Sequence, residues 1–393
     1  MSVMKRIRTA VLGFAAVLGG VFSTLAMAQA SQMTVTDLAG RTVPMANQVN
    51  RIILGESRYI PALAILDKEQ PLKRIVGMLA DFKQTDPGSY EQYRHKFPEI
   101  ERIPQVGHAS ADSFSVERVL SLKADVAIFG LEGHGPTSRN AELIQQLERA
   151  GVAVIFVDFR QKPLVNTVKS IELLGKVLGR EQQALAFVEF YTEQLARVET
   201  KLAKIRQDES LAAPSVFLHS RVGLQDLCCE TMVRGMMASF VEAGQGKNVA
   251  KEIVPGAAGV MNLEYLLTMQ PDIYIATAIG SAQGAKERAE SDDDNQPLYI
   301  VLGAGVDDAM AKASFQQALQ GSGVMELEAI QSKRAFAVWH HFYNTPLNVV
   351  AVQAFAKWMY PNEFADLDPK QTMQTLFDRF QPVPLNGTYW TSL

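Results

Sequence analysis

Two stretches of the chain, SFSVERVLSLKADVAIFG at 113–130 and VMNLEYLLTMQPDIYIAT at 260–277, follow one plan. In each, a polar residue (Ser115, Asn262) stands two places before a glutamate (Glu117, Glu264). A short apolar-periodic helix follows, and a β-rich apolar run opens on an aspartate (Asp125, Asp272). Helices leading into near-continuous apolar strands belong to mostly parallel sheets covered on both faces, because such strands are buried from both sides. The repetition predicts two units of this kind. Length agrees, since 393 residues suffice for two cores of ordinary domain size.

Around the first copy, RIILG, PALAILD, RIVGML, DVAIFG, NAELIQQLERAG and VAVIFVDF alternate strand-like with helix-like runs. Around the second, SVFLHS, MMASFVEAG, DIYIAT, AFAVWHHF and PLNVVAVQAFAKWMY restart the alternation. Between them, apolar residues keep three- and four-residue spacing from Leu164 to Ile205, with Gly179 as the expected kink or joint. The polar, proline-ended QDESLAAP at 207–214 marks a boundary. The expected fold class is α/β: two Rossmann-like lobes with mostly parallel sheets, 31–162 and 209–393, joined through a long helical segment at 163–208.

Residues 1–30 carry Lys5, Arg6 and Arg8, an apolar run from Ala10 to Ala28, and the small-residue patterns Ala26-Met27-Ala28 and Ala28-Gln29-Ala30. This is the layout of a cleaved secretory signal, with an uncleaved anchor helix as the alternative. A soluble mature protein is expected after cleavage. Losing this segment moves the formal net charge from −4 to −7, because it holds three cations and no acid. Such a chain lacks the basic footprint that nucleic acid requires. The only cysteines, Cys228 and Cys229, are adjacent. They are read as packed thiols, with a vicinal disulfide as the alternative.

Candidate ligand contacts come from strand ends. IILGESRY at 52–59 and VFLHSRVG at 216–223 each run a strand into a Ser-Arg pair, Ser57-Arg58 and Ser220-Arg221. In parallel α/β sheets ligands collect beyond the carboxyl ends of strands. Arg58, Arg221 and Arg234 offer bidentate contacts to carboxylates or to an anionic chelate, and Tyr59 adds an aromatic surface. WHHFYNTPLN at 339–348 brings His340, His341, Tyr343 and Asn344 to a strand end. His340 and Tyr343 are candidate metal ligands through imidazole nitrogen and phenolate oxygen. The plainer reading is that alternation sends one histidine into the core. His108 and His134 lie in loops at the same end of the first sheet, where they are either cleft or solvated residues. The acidic SDDDN at 291–295 is read as a solvated loop. No nucleophile elbow, metalloprotease helix, Walker loop or dinucleotide fingerprint is present, so an enzyme has no anchor in the sequence.

TVTDLAGRTVPM, NRIILG, IPQVGH, SVERVLSLKADVAI, the long helical segment, NLEYLLTMQPDIYI and the helix led by NTPLN together resemble the periplasmic substrate-binding proteins of iron-siderophore, haem and cobalamin ABC importers. The resemblance implies two lobes joined by one long rigid α-helix and a ligand held in the cleft between them. It implies surface glutamates, here Glu117 and Glu264, that dock arginines of an inner-membrane permease. Helix-capping chemistry alone is the plainer account of that pair. The implied ligand is an Fe(III) chelate, most of all a ferric siderophore, with haem, cobalamin or a metal or oxyanion as alternatives. A monomer with no intrinsic cofactor and no nucleic-acid partner is expected. A secreted metal-dependent enzyme using His340, His341 and Tyr343 is the alternative from another class. Two departures stand out: Ala124 replaces a proline common in the family, and the polar region 281–325 is longer than the family minimum.

Overall fold

Lobe one is built on five short strands, β1 (Ile52–Leu54), β2 (Ile75–Leu79), β3 (Gln105–Gly107), β4 (Val126–Gly130) and β5 (Ala153–Val157). All pair in parallel, in the order β3-β2-β1-β4-β5. Every residue of β1 and β4 is buried, which is why their sequences are unbroken apolar runs rather than alternating ones. The winding direction reverses between β1 and β4, so a crevice opens beyond their carboxyl ends. Glu56, Ser57 and Arg58 leave β1 at that edge, and His134 lies in the loop that follows β4.

The computed structural model describes residues 32–208, 211–224, 228–290 and 298–393. The leader at 1–30 and the SDDDN run lie outside the described residues, as does part of the polar region 281–325. Lobe two holds β6 (Ser215–His219), β7 (Glu230–Met232), β8 (Ala258–Val260), β9 (Ile273–Ala278), β10 (Ala335–Trp339) and β11 (Trp390–Ser392). Their order is β8-β7-β6-β9-β10-β11. The central strands β6, β9 and β10 are parallel, and antiparallel strands are added at both edges.

The repeated unit has the same local chemistry in both lobes. Helix α1 (Val116–Ser121) leads into β4, and Ser115 caps it by accepting the Arg118 amide at 3.2 Å. Asp125 then accepts the Asn50 and Arg51 amides at 2.7 and 2.8 Å, tying the start of β4 to the start of β1. In lobe two, Asn262 accepts the Tyr265 amide at 3.1 Å. Asp272 accepts both the amide and the hydroxyl of Ser215 at 2.7 Å, tying β9 to β6. The aspartates are therefore strand staples. Glu117 and Glu264 are exposed.

The link between the lobes consists of two helices, α2 (Pro163–Leu178) and the 25-residue α3 (Glu181–Ile205). The joint foreseen at Gly179 is a left-handed residue (φ 61°, ψ 46°), and the Arg180 amide donates to the Gly175 carbonyl at 2.7 Å. A Cβ on Gly175 would lie 2.5 Å from the Ala184 methyl group, so this glycine lets the two helices approach. Helix α3 touches both lobes. Arg180, just before it, pairs with Asp67 of lobe one at 3.2 Å, and Tyr191 donates to Asn348 of lobe two at 2.7 Å. Asn348 opens α5 (Asn348–Met359), while the helix of the second repeat, α4, spans Leu263–Met269.

One hydrophobic core runs from Leu54 and Ile60 through Phe187 and Tyr191 to Tyr274 and Phe355. The C-terminal segment adds a polar tie across the lobes, where Gln381 accepts from the Tyr93 hydroxyl at 2.8 Å and donates to the Pro61 carbonyl at 3.1 Å. Among the described residues no helix is long and apolar enough to cross a membrane.

Candidate functional site

The loops that leave the carboxyl ends of the two sheets meet around one buried carboxylate, Glu56. Its Oε1 accepts from Arg58 at 3.2 Å, from Arg160 at 3.0 Å and from the His134 amide at 2.7 Å. Its Oε2 accepts from the Asn344 amide group of lobe two at 3.0 Å. The approach is close: a Cβ on Gly133 would stand 2.5 Å from the Glu56 carboxylate. Burial alone would push the Glu56 carboxyl up, but Arg160 and Arg58 outweigh it and hold it down at about 2.

Arg58 is 4% exposed, and its guanidinium is engaged on three sides. Besides Glu56 it donates to Asp81 at 3.1 Å and, across the lobes, to the Tyr343 hydroxyl at 3.2 Å. Ser57 locks the turn, because its amide and hydroxyl both donate to Asp81 at 2.8 Å. Arg160 donates to Asn344 at 3.1 Å, and its guanidinium lies 5.0 Å from the centre of the Tyr343 ring. Tyr343 is thus flanked by two cations. Burial would raise its phenol, yet Arg160 and then Arg58 bring it below the ordinary tyrosine value.

His340 stands edge-on to Tyr343 with ring centres 4.8 Å apart. Its Nδ1 shares the Thr277 hydroxyl at 2.9 Å, and the same hydroxyl accepts the Arg221 amide at 2.7 Å. Burial, helped by the neighbouring His341 and the arginines, drives His340 well below the usual histidine value, so the ring is a neutral donor. The structure brings Arg58, His340, Tyr343 and Asn344 together and places the Arg221 backbone beside them.

Three expectations need correction. Tyr59 does not offer a cleft surface: it is 1% exposed and packs on Phe159 at 5.6 Å, because its place on the turn faces lobe one's core. The Arg234 guanidinium does not stand free for a bidentate contact: it donates to the carbonyls of Lys251, Val254 and Gly256 and so pins its own loop. His341 stands edge-on to Trp339 with ring centres 5.3 Å apart and, with Arg58 and Asn344, lines a cavity of about 20 Å³. Burial pushes it down to about 3. Cys228 and Cys229 are joined as a disulfide rather than packed as thiols.

Arg221 keeps its place at the strand end, but Glu230 takes its guanidinium through Nε at 3.1 Å and through a second, shorter contact. Among the described residues, then, the cleft guanidiniums of Arg58, Arg160 and Arg221 all carry carboxylates. Their charge is balanced within the protein by Glu56, Asp81 and Glu230. Glu56 and Arg160 were not picked out from the sequence. Both follow strands, Glu56 one residue after Gly55 at the end of β1 and Arg160 in VDFR at the end of β5, so the strand-end rule applied to charge of either sign would have found them.

The family model for periplasmic binding proteins matches residues 82–294. An ABC transporter substrate-binding lipoprotein of Bacillus subtilis, YvrC, is 32% identical over 190 residues; that match covers 48% of this chain and 56% of the relative. The molybdate-binding protein MolA of Haemophilus influenzae is 21% identical across 92% of this chain and 94% of its own. The crystal structure of a TroA-like periplasmic binding protein, FepB of Veillonella parvula, superposes with a TM-score of 0.76 at 22% identity, covering 92% of this chain and 99% of that one. Two α/β lobes whose strand ends close on one buried polar cluster, together with a family match over more than half of the sequence, place this chain among the periplasmic binding proteins, the ligand-capturing and non-enzymatic components of ABC importers.

Proposed function

We propose that the protein captures an Fe(III) chelate, a ferric siderophore above all, in the cleft and that Tyr343 completes the iron coordination as a phenolate. The supporting observation is the placement of Tyr343 between Arg58 and Arg160, which lowers the cost of losing its proton. A phenolate is a hard oxygen donor suited to ferric iron, and tyrosinate is a known protein ligand to haem iron. His340, neutral and edge-on to Tyr343, is the second donor. A groove of about 740 Å³ between the lobes, lined by Gln84, Thr85 and Pro87 on one side and by Ser281, Ala285 and Tyr299 on the other but not by Tyr343 or His340, would take the organic shell once the lobes part around Tyr343. Glu117 and Glu264, exposed on matching helices, dock the inner-membrane permease.

A compact oxyanion is the second reading. It is favoured by the direct contacts Arg58–Tyr343 and Glu56–Asn344, which hold the lobes together around little free space, and by the likeness to MolA over nearly the whole chain. Calorimetric titration with ferric chelates, haem, cobalamin and molybdate separates the two. Saturable binding of a ferric chelate is the expected result, and saturation by molybdate alone replaces the first reading with the second.

A further inference from the structure

Lobe two carries another donor cluster that the cleft does not use. A ring nitrogen of His219 and the sulfurs of Cys228 and Cys229 lie within 4.8 Å of one another. Strand register separates them from Tyr343. His219 pairs with Ala276 of β9, whereas Thr277, the partner of His340, is the next residue along β9. Successive strand residues point to opposite faces, so His219 leaves the sheet on the side away from His340.

Two observations mark the cluster as a built site. His219 is 5% exposed, and the Tyr274 hydroxyl holds its Nδ1 at 2.6 Å, which orients the ring and leaves Nε2 as the available donor. Thr231, the cross-strand partner of His219, is wholly buried, and its hydroxyl has no hydrogen-bond partner among the described residues. A buried hydroxyl left in that state is costly, which points to a missing group beside it.

We propose that reduction of the Cys228–Cys229 disulfide opens a zinc(II) site with both thiolates and His219 Nε2 as ligands. The Thr231 hydroxyl then bonds to a thiolate or to a water in the fourth position, and Tyr274 positions the imidazole. A dithiol supplies the two electrons: exchange through a mixed disulfide releases both cysteines as thiols and leaves the reductant as a disulfide. Zinc then displaces two protons, one from each thiol. Two thiolates cancel the charge of Zn²⁺, and a neutral complex is the least costly to bury; copper(I) would leave a net negative charge. The donor set matches open zinc sites, which hold three protein ligands and one exchangeable position. While the disulfide stands, no thiolate exists and zinc is excluded. Because Cys229 adjoins Glu230, the partner of Arg221, zinc occupancy bears on the lobe-two wall of the cleft.

The test titrates zinc into purified protein against a chromogenic chelator, once oxidised and once reduced with dithiothreitol and desalted under argon. Cobalt(II) serves as a spectroscopic substitute. Reduced protein should bind a single equivalent of zinc and give thiolate-to-cobalt charge-transfer absorption. Affinity should fall about 100-fold or more in the oxidised protein and in a Cys228→Ser, Cys229→Ser double variant, and about 10-fold in His219→Gln. Tyr343→Phe should leave it unchanged. Equal zinc affinity in reduced and oxidised wild type overturns the proposal without recourse to any variant. So does a cobalt spectrum lacking thiolate bands.

Discussion

The pairs Ser57-Arg58 and Ser220-Arg221 end matching strands in matching lobes, yet they live in different surroundings. Arg58 is 4% exposed and is held by Glu56, Asp81 and Tyr343. The Arg221 side chain is 38% exposed and has one carboxylate, Glu230, on the neighbouring strand. The sequence motif decides where the chain delivers a guanidinium. The carboxylates supplied by other loops decide what that guanidinium does. In lobe one it is a structural keystone of the closed cleft; in lobe two it is a wall residue.

That contrast predicts unequal consequences. Arg58→Met leaves Glu56 and Asp81 as buried charges short of a partner, and its removal should destabilise the fold by about 3–5 kcal/mol. Urea denaturation checks this, and a loss no greater than that of Arg221→Ala would erase the distinction. Acid should act through the same buried cluster. His134, His340 and His341 sit below the ordinary histidine value of 6.5 when folded, His134 at about 4 and His341 at about 3. As pH falls below 6.5 the unfolded chain takes up protons that these rings refuse, so stability is lost downward from that point. Each histidine weakens the fold by about 1.4 kcal/mol per pH unit until its folded value is reached. Glu56 adds to the loss between 4.5 and about 2. Melting temperatures measured from pH 7 to pH 4 should therefore decline steadily, and less steeply in His341→Asn.

Arg221→Ala should cost less than about 1 kcal/mol of stability, as expected for a partly exposed ion pair. The smallest effect on the fold belongs to Glu117→Gln and Glu264→Gln, which should leave the melting temperature unchanged. Either should slow uptake through the reconstituted permease while leaving ligand affinity intact. Normal uptake in both would return these residues to plain helix-terminal acids.

The fold was largely legible because its signals are local. Apolar runs such as VAIFG and AVIFV reflect strands buried on both faces, Gly179 has the only backbone freedom that a left-handed helix joint accepts without strain, and Ser115 and Asn262 cap the helices they precede. The edge strands β7, β8 and β11 were less visible, being short and paired antiparallel from distant segments. The site was legible only in part. Strand ends led to Arg58, His340, Tyr343 and Asn344, which the structure brings together. Whether a residue faces the cleft or the core depends on one step of rotation along a turn, which is how Tyr59 came to be misplaced. Glu56 and Arg160 matter through pairings 104 and 288 residues apart in sequence, and no local pattern encodes such partners.

The central claim is that Tyr343, acidified by Arg58 and Arg160, binds the iron of the captured chelate. Visible spectra recorded while a coordinatively unsaturated ferric chelate is added to wild-type protein and to Tyr343→Phe test it most directly. A phenolate-to-iron charge-transfer band should grow to saturation in the wild type and be absent from the variant, with affinity reduced by about 10-fold or more. Identical spectra and equal affinities in the two proteins would contradict the account.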